Sequence, residues 1–158
     1  MNRIKVGYLF ILILLSVALI TSCKKPMTDE EIITQIINDS GDLAEAKDLK
    51  GIMSYVSDSY KDAQGYGRDD MKGYLFVYFR QHERIGVFVR HVDVEVKGDS
   101  AEAVVKVIFT GGEEIEGVGD VVPSSGSGYQ LDLKFAREDG EWMVVRAKWT
   151  DIGFVEAF

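Results

Sequence analysis

Few residues in this chain are of a type and spacing that could do chemistry. One cysteine, Cys23, and two histidines, His82 and His91, occur in 158 residues. A single thiol forms no internal disulfide, and two imidazoles are too few for a histidine-rich metal site. No His-Glu-x-x-His pair, calcium-binding loop, Gly-x-Ser-x-Gly elbow or phosphate-binding loop occurs. The stretch GGEEIEGVG, residues 111–119, lacks a following Lys-Ser/Thr and is no phosphate cradle. No metal and no cofactor is expected. Carboxylates dominate instead, with 26 Asp and Glu against 18 Lys and Arg, a net charge of −8. Such a surface repels phosphate backbones and argues against a nucleic-acid partner. Solubility is its simplest use. What remains is proton transfer by an isolated acid, or binding through tyrosines and an arginine.

The elements that must position these groups can be read from periodicity. Thr28 with Glu31 has the form of a capping box, and Ile32, Ile33, Ile36, Ile37, Leu43 and Ala44 then recur at helical spacing. Gly41 weakens or bends that helix. Asp48 caps a short second helix with Leu49, Ile52, Met53 and Val56 on one face. KDAQGYG, residues 61–67, reads as a loop. Arg68 or Asp69 opens a third helix. Met71, Leu75, Tyr78 and His82 lie along one side of it, and Tyr74, Phe76 and Phe79 broaden that face.

After Gly86 the period changes to two, the mark of strands. Phe88, Arg90, Val92, Val94 and Val96 share one face of the first strand, and His91, Asp93 and Glu95 the other. A second strand carries Ala101, Ala103, Val105, Val107 and Phe109, and a third Tyr129, Leu131, Leu133 and Phe135. The last runs from Trp142 to Thr150, with Met143, Val145, Ala147 and Trp149 inward. Residues 111–128 read as a mobile loop or as a loop holding a short edge strand around Val118 to Val122. Three helices followed by about four antiparallel strands predict an α+β fold, with the helices on one face of the sheet. Arg90 interrupts an apolar face. It is either a strand-end arginine reaching water, a structural partner of an acid such as Asp58, or an anchor for an anionic ligand.

The first 22 residues stand apart. Arg3 and Lys5 precede an apolar run from Val6 to Ile20, too short for a membrane span and laid out as a secretory signal. Its end, Ile20-Thr21-Ser22-Cys23, resembles the lipobox of bacterial lipoproteins. The resemblance implies cleavage between Ser22 and Cys23 and acylation of Cys23, which makes the membrane a partner. The resemblance implies a diacylated thiol and an acylated amino terminus at Cys23, and these three acyl chains exceed the two lipid signals that stable anchoring needs. The expected organisation is a signal peptide at 1–22, a lipidated tether at 23–27 and one domain at 28–158. Lys24 is not the Asp of an inner-membrane retention signal, which favours the outer membrane, facing the periplasm. Without Arg3 and Lys5 the chain has 16 basic and 26 acidic residues, a net charge of −10.

The element order resembles the nuclear transport factor 2-like superfamily, which includes the ketosteroid isomerases. The local match lies at AKDLKGIMSYVSDSYKDAQG, residues 46–65, through Asp48, Leu49, Ile52, Tyr55, Asp58 and Gly65, and at DGEW, residues 139–142. The resemblance implies helices closing over a curved sheet around a cone-shaped pocket. It also puts Asp62 at the position of the isomerases' catalytic base. Two features depart from that chemistry. Ala63 stands where the isomerases have Pro, and Ser40 stands where they carry an oxyanion-binding Tyr. A base without such donors lacks what is usually the largest catalytic term.

The expectation is therefore a non-catalytic domain that binds a small amphipathic ligand or an envelope partner, with Tyr60, Tyr78, Arg90 and Tyr129 at the pocket. One alternative is an interaction module that self-associates or binds another protein through an outer sheet face bearing Val87, Val89, Trp142 and Val144. Another is an isomerase- or cyclase-like enzyme using Asp62.

Overall fold

The computed structural model describes residues 26–111 and 126–157. The apolar leader, Cys23 and the segment around Val118 to Val122 lie outside the described residues. Thr28 opens α1 (Asp29–Glu45) with a capping box. Its N–H donates to Glu31 Oε2 at 2.8 Å, and the Glu31 N–H donates to Thr28 Oγ1 at 3.2 Å. Ile33, Ile36 and Ile37 recur on one side of α1 and are buried. They pack on Ala101, Ala103 and Val105, whose small size lets the helix approach the sheet closely. α1 runs unbroken through Gly41, which is buried against Val87 and Val89.

α2 (Leu49–Ser54) is capped by Asp48, whose Oδ1 accepts from the Gly51 N–H at 2.9 Å. α3 (Arg68–Gln81) follows a loop. The strands are β1 (Ile85–Lys97), β2 (Ser100–Gly111), β3 (Gly126–Glu138) and β4 (Glu141–Asp151). They form one antiparallel sheet in the order β1-β2-β3-β4. The α+β architecture agrees with the sequence.

The facing of two strands does not agree, and β-bulges are the reason. In β1, Val89 pairs with Val107 and His91 with Lys106, so Arg90 is an extra residue. Its insertion shifts the alternation by one. Val87 and Val89 therefore join Val92, Val94 and Val96 on the core side, while Phe88 and Arg90 are exposed. In β4, Phe135 pairs with Val144 and Lys134 with Arg146, which leaves Val145 extra. Trp142 and Val144 pack into the core in place of Met143 and Val145, and Ala147 is buried beyond the bulge. The outer apolar face expected at Val87, Val89, Trp142 and Val144 is thus an inner face.

Two features close the sheet. Residues 55–63 run beside β4, with N–H groups of Ser57, Lys61 and Ala63 donating to the carbonyls of Val144, Val145 and Ala147 at 3.0–3.1 Å. They cover an otherwise open edge and carry Tyr60 and Asp62 with them. A short C-terminal helix, α4 (Gly153–Glu156), packs on β3 where Gly128 has no side chain. A Cβ at Gly128 would lie 2.1 Å from the Gly153 carbonyl oxygen.

Candidate functional site

The site begins with how α3 is held. At its start, the Arg68 guanidinium donates to Met53 O at 2.9 Å and Val56 O at 3.1 Å, carbonyls at the end of α2. The Gly67 N–H donates to the Asp70 carboxylate at 2.9 Å. At its end, Lys47 Nζ donates to the carbonyls of His82 and Glu83 at 2.6 and 2.7 Å. With both ends pinned, Met71, Leu75, Tyr78 and His82 face the ends of β2, β3 and β4 across a cleft of about 1150 Å³. That volume suits a small organic molecule.

Two aromatic walls line the cleft. On α3, Tyr78 stacks on His82 at a centroid distance of 4.1 Å and on Tyr74 at 6.3 Å. On the sheet, Phe109 meets Tyr129 edge-on at 5.8 Å and Trp149 at 6.3 Å. Burial raises the Tyr78 pKa, and the neighbouring Tyr74 and Tyr129 add to the shift. The loop between α2 and α3 supplies the floor. Tyr60 is only 3% exposed, and burial followed by the charge of Asp62 pushes its phenol up to about 12. Tyr60 and Tyr78 are thus protonated hydrogen-bond donors at neutral pH.

Asp62 lines the same cleft. Its Oδ1 accepts the N–H groups of Gln64 and Tyr66, both at 2.8 Å, and so closes the loop around Gly65. Gly65 has φ of +93°, a conformation that glycine adopts without strain. Oδ2 of Asp62 has no hydrogen-bond partner among the described residues. Ser40, at the oxyanion-tyrosine position, donates instead to Ile36 O at 2.7 Å along its own helix. Tyr60 and Tyr78 line the cleft from other elements.

The structure therefore gathers Tyr60, Asp62, Tyr78 and Tyr129 in one place. Arg90 is not among the described lining residues; the bulge turns it to the exposed side of β1. Asp58, considered as its partner, lies 3.4 Å from Arg68. Sequence reasoning did not single out Tyr66, Asp69, Asp70 or Trp149 as lining residues. The signal available for the first three was their crowding into the loop and first turn of α3. Trp149 offered none beyond its inward facing.

No family model matches the sequence, and no curated protein does. Solved structures do match. An NTF2-like protein from Pseudomonas putida superposes with a TM-score of 0.63 at 20% identity, over 77% of this chain and 84% of that one. The fold is NTF2-like. A candidate dehydratase of the NTF2-like family from Streptomyces avermitilis gives a TM-score of 0.65 at 17% identity, over 81% of this chain and 99% of that one. Bdellovibrio bacteriovorus Bd1075 gives 0.63 at 7% identity, with 77% of this chain covering only 40% of that one. At these identities the likeness is one of fold. An NTF2-like scaffold hosts binding proteins and enzymes alike, so the function must be argued from the cleft.

Proposed function

We propose that this is a lipid-anchored envelope protein whose NTF2-like domain holds a small amphipathic ligand in its cleft without transforming it. The observation that carries the binding reading is the cleft itself, with apolar aromatic walls and a few inward polar groups. The anchor rests on the sequence ending at Cys23 and on its resemblance to a lipobox. The outer membrane, facing the periplasm, is the proposed location.

The position of α1 suits that arrangement. Asp29, at its start, bonds to Arg137 and to Trp142 Nε1 beside the β3–β4 turn. Tyr129, at the cleft, lies eight residues back along β3, or about 26 Å at the usual rise per strand residue. A tether leading into α1 therefore enters the domain far from the cleft. The cleft would open to the compartment and not to the anchoring bilayer.

Non-catalytic binding is favoured because Oδ1 of Asp62 is engaged in its own loop and Ser40 replaces the isomerases' oxyanion donor. The placing of Asp62 beside the protonated Tyr60 keeps a second reading in play, proton abstraction or dehydration with Asp62 as base. The Streptomyces neighbour is consistent with that reading.

Denaturing mass spectrometry of protein from its native membrane tests the anchor. A chain starting at Cys23 with acyl mass is expected, and an unmodified chain of all 158 residues would refute it. For the cleft, the affinity of a recovered ligand should fall on Tyr78→Phe and Trp149→Ala and stay constant on Arg90→Ala. Equal affinity in all three variants would remove the cleft from the account.

A further inference from the structure

We propose that the ligand is an organic cation, an amine or quaternary ammonium carried on an apolar body. This rests on the reading of the cleft as the ligand site. Its two walls turn aromatic rings toward one space, and the face of each ring is the negative side of its quadrupole. Tyr74 and Trp149 are 69% and 47% exposed, so their rings are accessible to a guest.

The charge has the matching sign. Asp62, Asp69 and Asp70 line the cleft, and among the described lining residues there is no Lys or Arg. Only His82 there can carry positive charge, and its Nδ1 is committed to Tyr78 O at 3.0 Å. An anion would give up its water and meet carboxylates with no Lys or Arg to pair with among the described lining residues. A bare metal ion fits less well. Among the described residues no three His, Cys, Asp or Glu side chains come together as a metal site. A cavity of about 1150 Å³ with aromatic walls calls for an apolar body as well as a charge. The net charge of −8 draws cations toward the whole molecule.

Calorimetric titration of the full chain in a nonionic detergent tests this with three water-soluble probes that share one apolar body: 4-butylbenzyltrimethylammonium, 4-butylbenzenesulfonate and the neutral 4-butylbenzyl alcohol. The ammonium should bind about tenfold more tightly than either of the others, the scale of desolvated cation–π contacts. Asp69→Asn and Tyr74→Ala alter exposed side chains. Each should weaken the ammonium about threefold or more. Asp69→Asn should leave the neutral probe unchanged. Sulfonate binding as tight as ammonium binding would overturn the proposal. Equal binding of the neutral and ammonium probes would also overturn it while leaving the cleft as a ligand site. If no probe binds, both readings fall.

Discussion

Tyr60 and Asp62 show how a single pair sets the character of the cleft. Burial and the adjacent carboxylate both disfavour the phenolate of Tyr60. Its folded pKa of about 12 lies above the ordinary 10.0, so the associated stability is complete below pH 10.0 and is lost as pH rises toward 12. Tyr55 and Tyr78 are raised as well, so spectrophotometric titration should show a latest-ionising component near pH 12 that Tyr60→Phe removes. That component surviving in the variant would show that the shift belongs to another residue.

Asp62→Asn separates charge from structure. The amide oxygen can still accept the Gln64 and Tyr66 N–H groups, so the loop should keep its shape and the melting temperature should change little. Ligand affinity should fall, because the negative charge is gone. If instead the variant binds normally and loses a measurable turnover, Asp62 is a base and the non-catalytic reading is wrong.

At the scale of elements, two glycines that look alike in the sequence have opposite roles. A Cβ on Gly41 would meet Val87 at 3.5 Å and Val89 at 3.7 Å, ordinary contact distances. Gly41→Ala should therefore stabilise α1 by about 0.5–1 kcal/mol, the cost of glycine within a helix. Gly128→Ala would drive a methyl group into the backbone of α4 and should cost about 1–3 kcal/mol. Chemical denaturation of the two variants checks both signs.

This contrast also marks what the sequence makes legible. Thr28 with Glu31 and Asp48 with Gly51 were readable because a cap is made within four residues. The face of α3 bearing Met71, Leu75, Tyr78 and His82 was readable from its period, and all four line the cleft. The facing of β1 and β4 was not. A bulge depends on the partner strand, so nothing local announces that Arg90 or Val145 is the extra residue. Arg90, expected at the pocket, is accordingly not among the described residues that line this cleft. α4 was missed for a similar reason, since its docking depends on a gap at Gly128, far away in sequence.

For the whole molecule, the sheet has two working ends. One end is tied to the start of α1 by Asp29, Arg137 and Trp142, with the Arg137 guanidinium 4.4 Å from the Trp142 ring centre. Hydrogen bonds from Arg137 and then Trp142 hold the Asp29 carboxyl below its usual 3.8. A depressed acid contributes stability that is complete above pH 3.8 and lost as pH falls through the lower folded value. The stability difference between wild type and Asp29→Asn should thus be flat near neutrality and shrink in acid. A difference that does not change down to strong acid would show that Asp29 is not held in this way.

The other end carries the cleft, and its occupancy is the central claim. The most direct measurement is the mass of protein purified gently from its native membrane, under native and then denaturing conditions, beside a Tyr74→Ala variant. The native wild type should carry a non-covalent organic molecule, absent after denaturation and depleted in the variant. A bare native chain, or a guest retained equally by the variant, would contradict it.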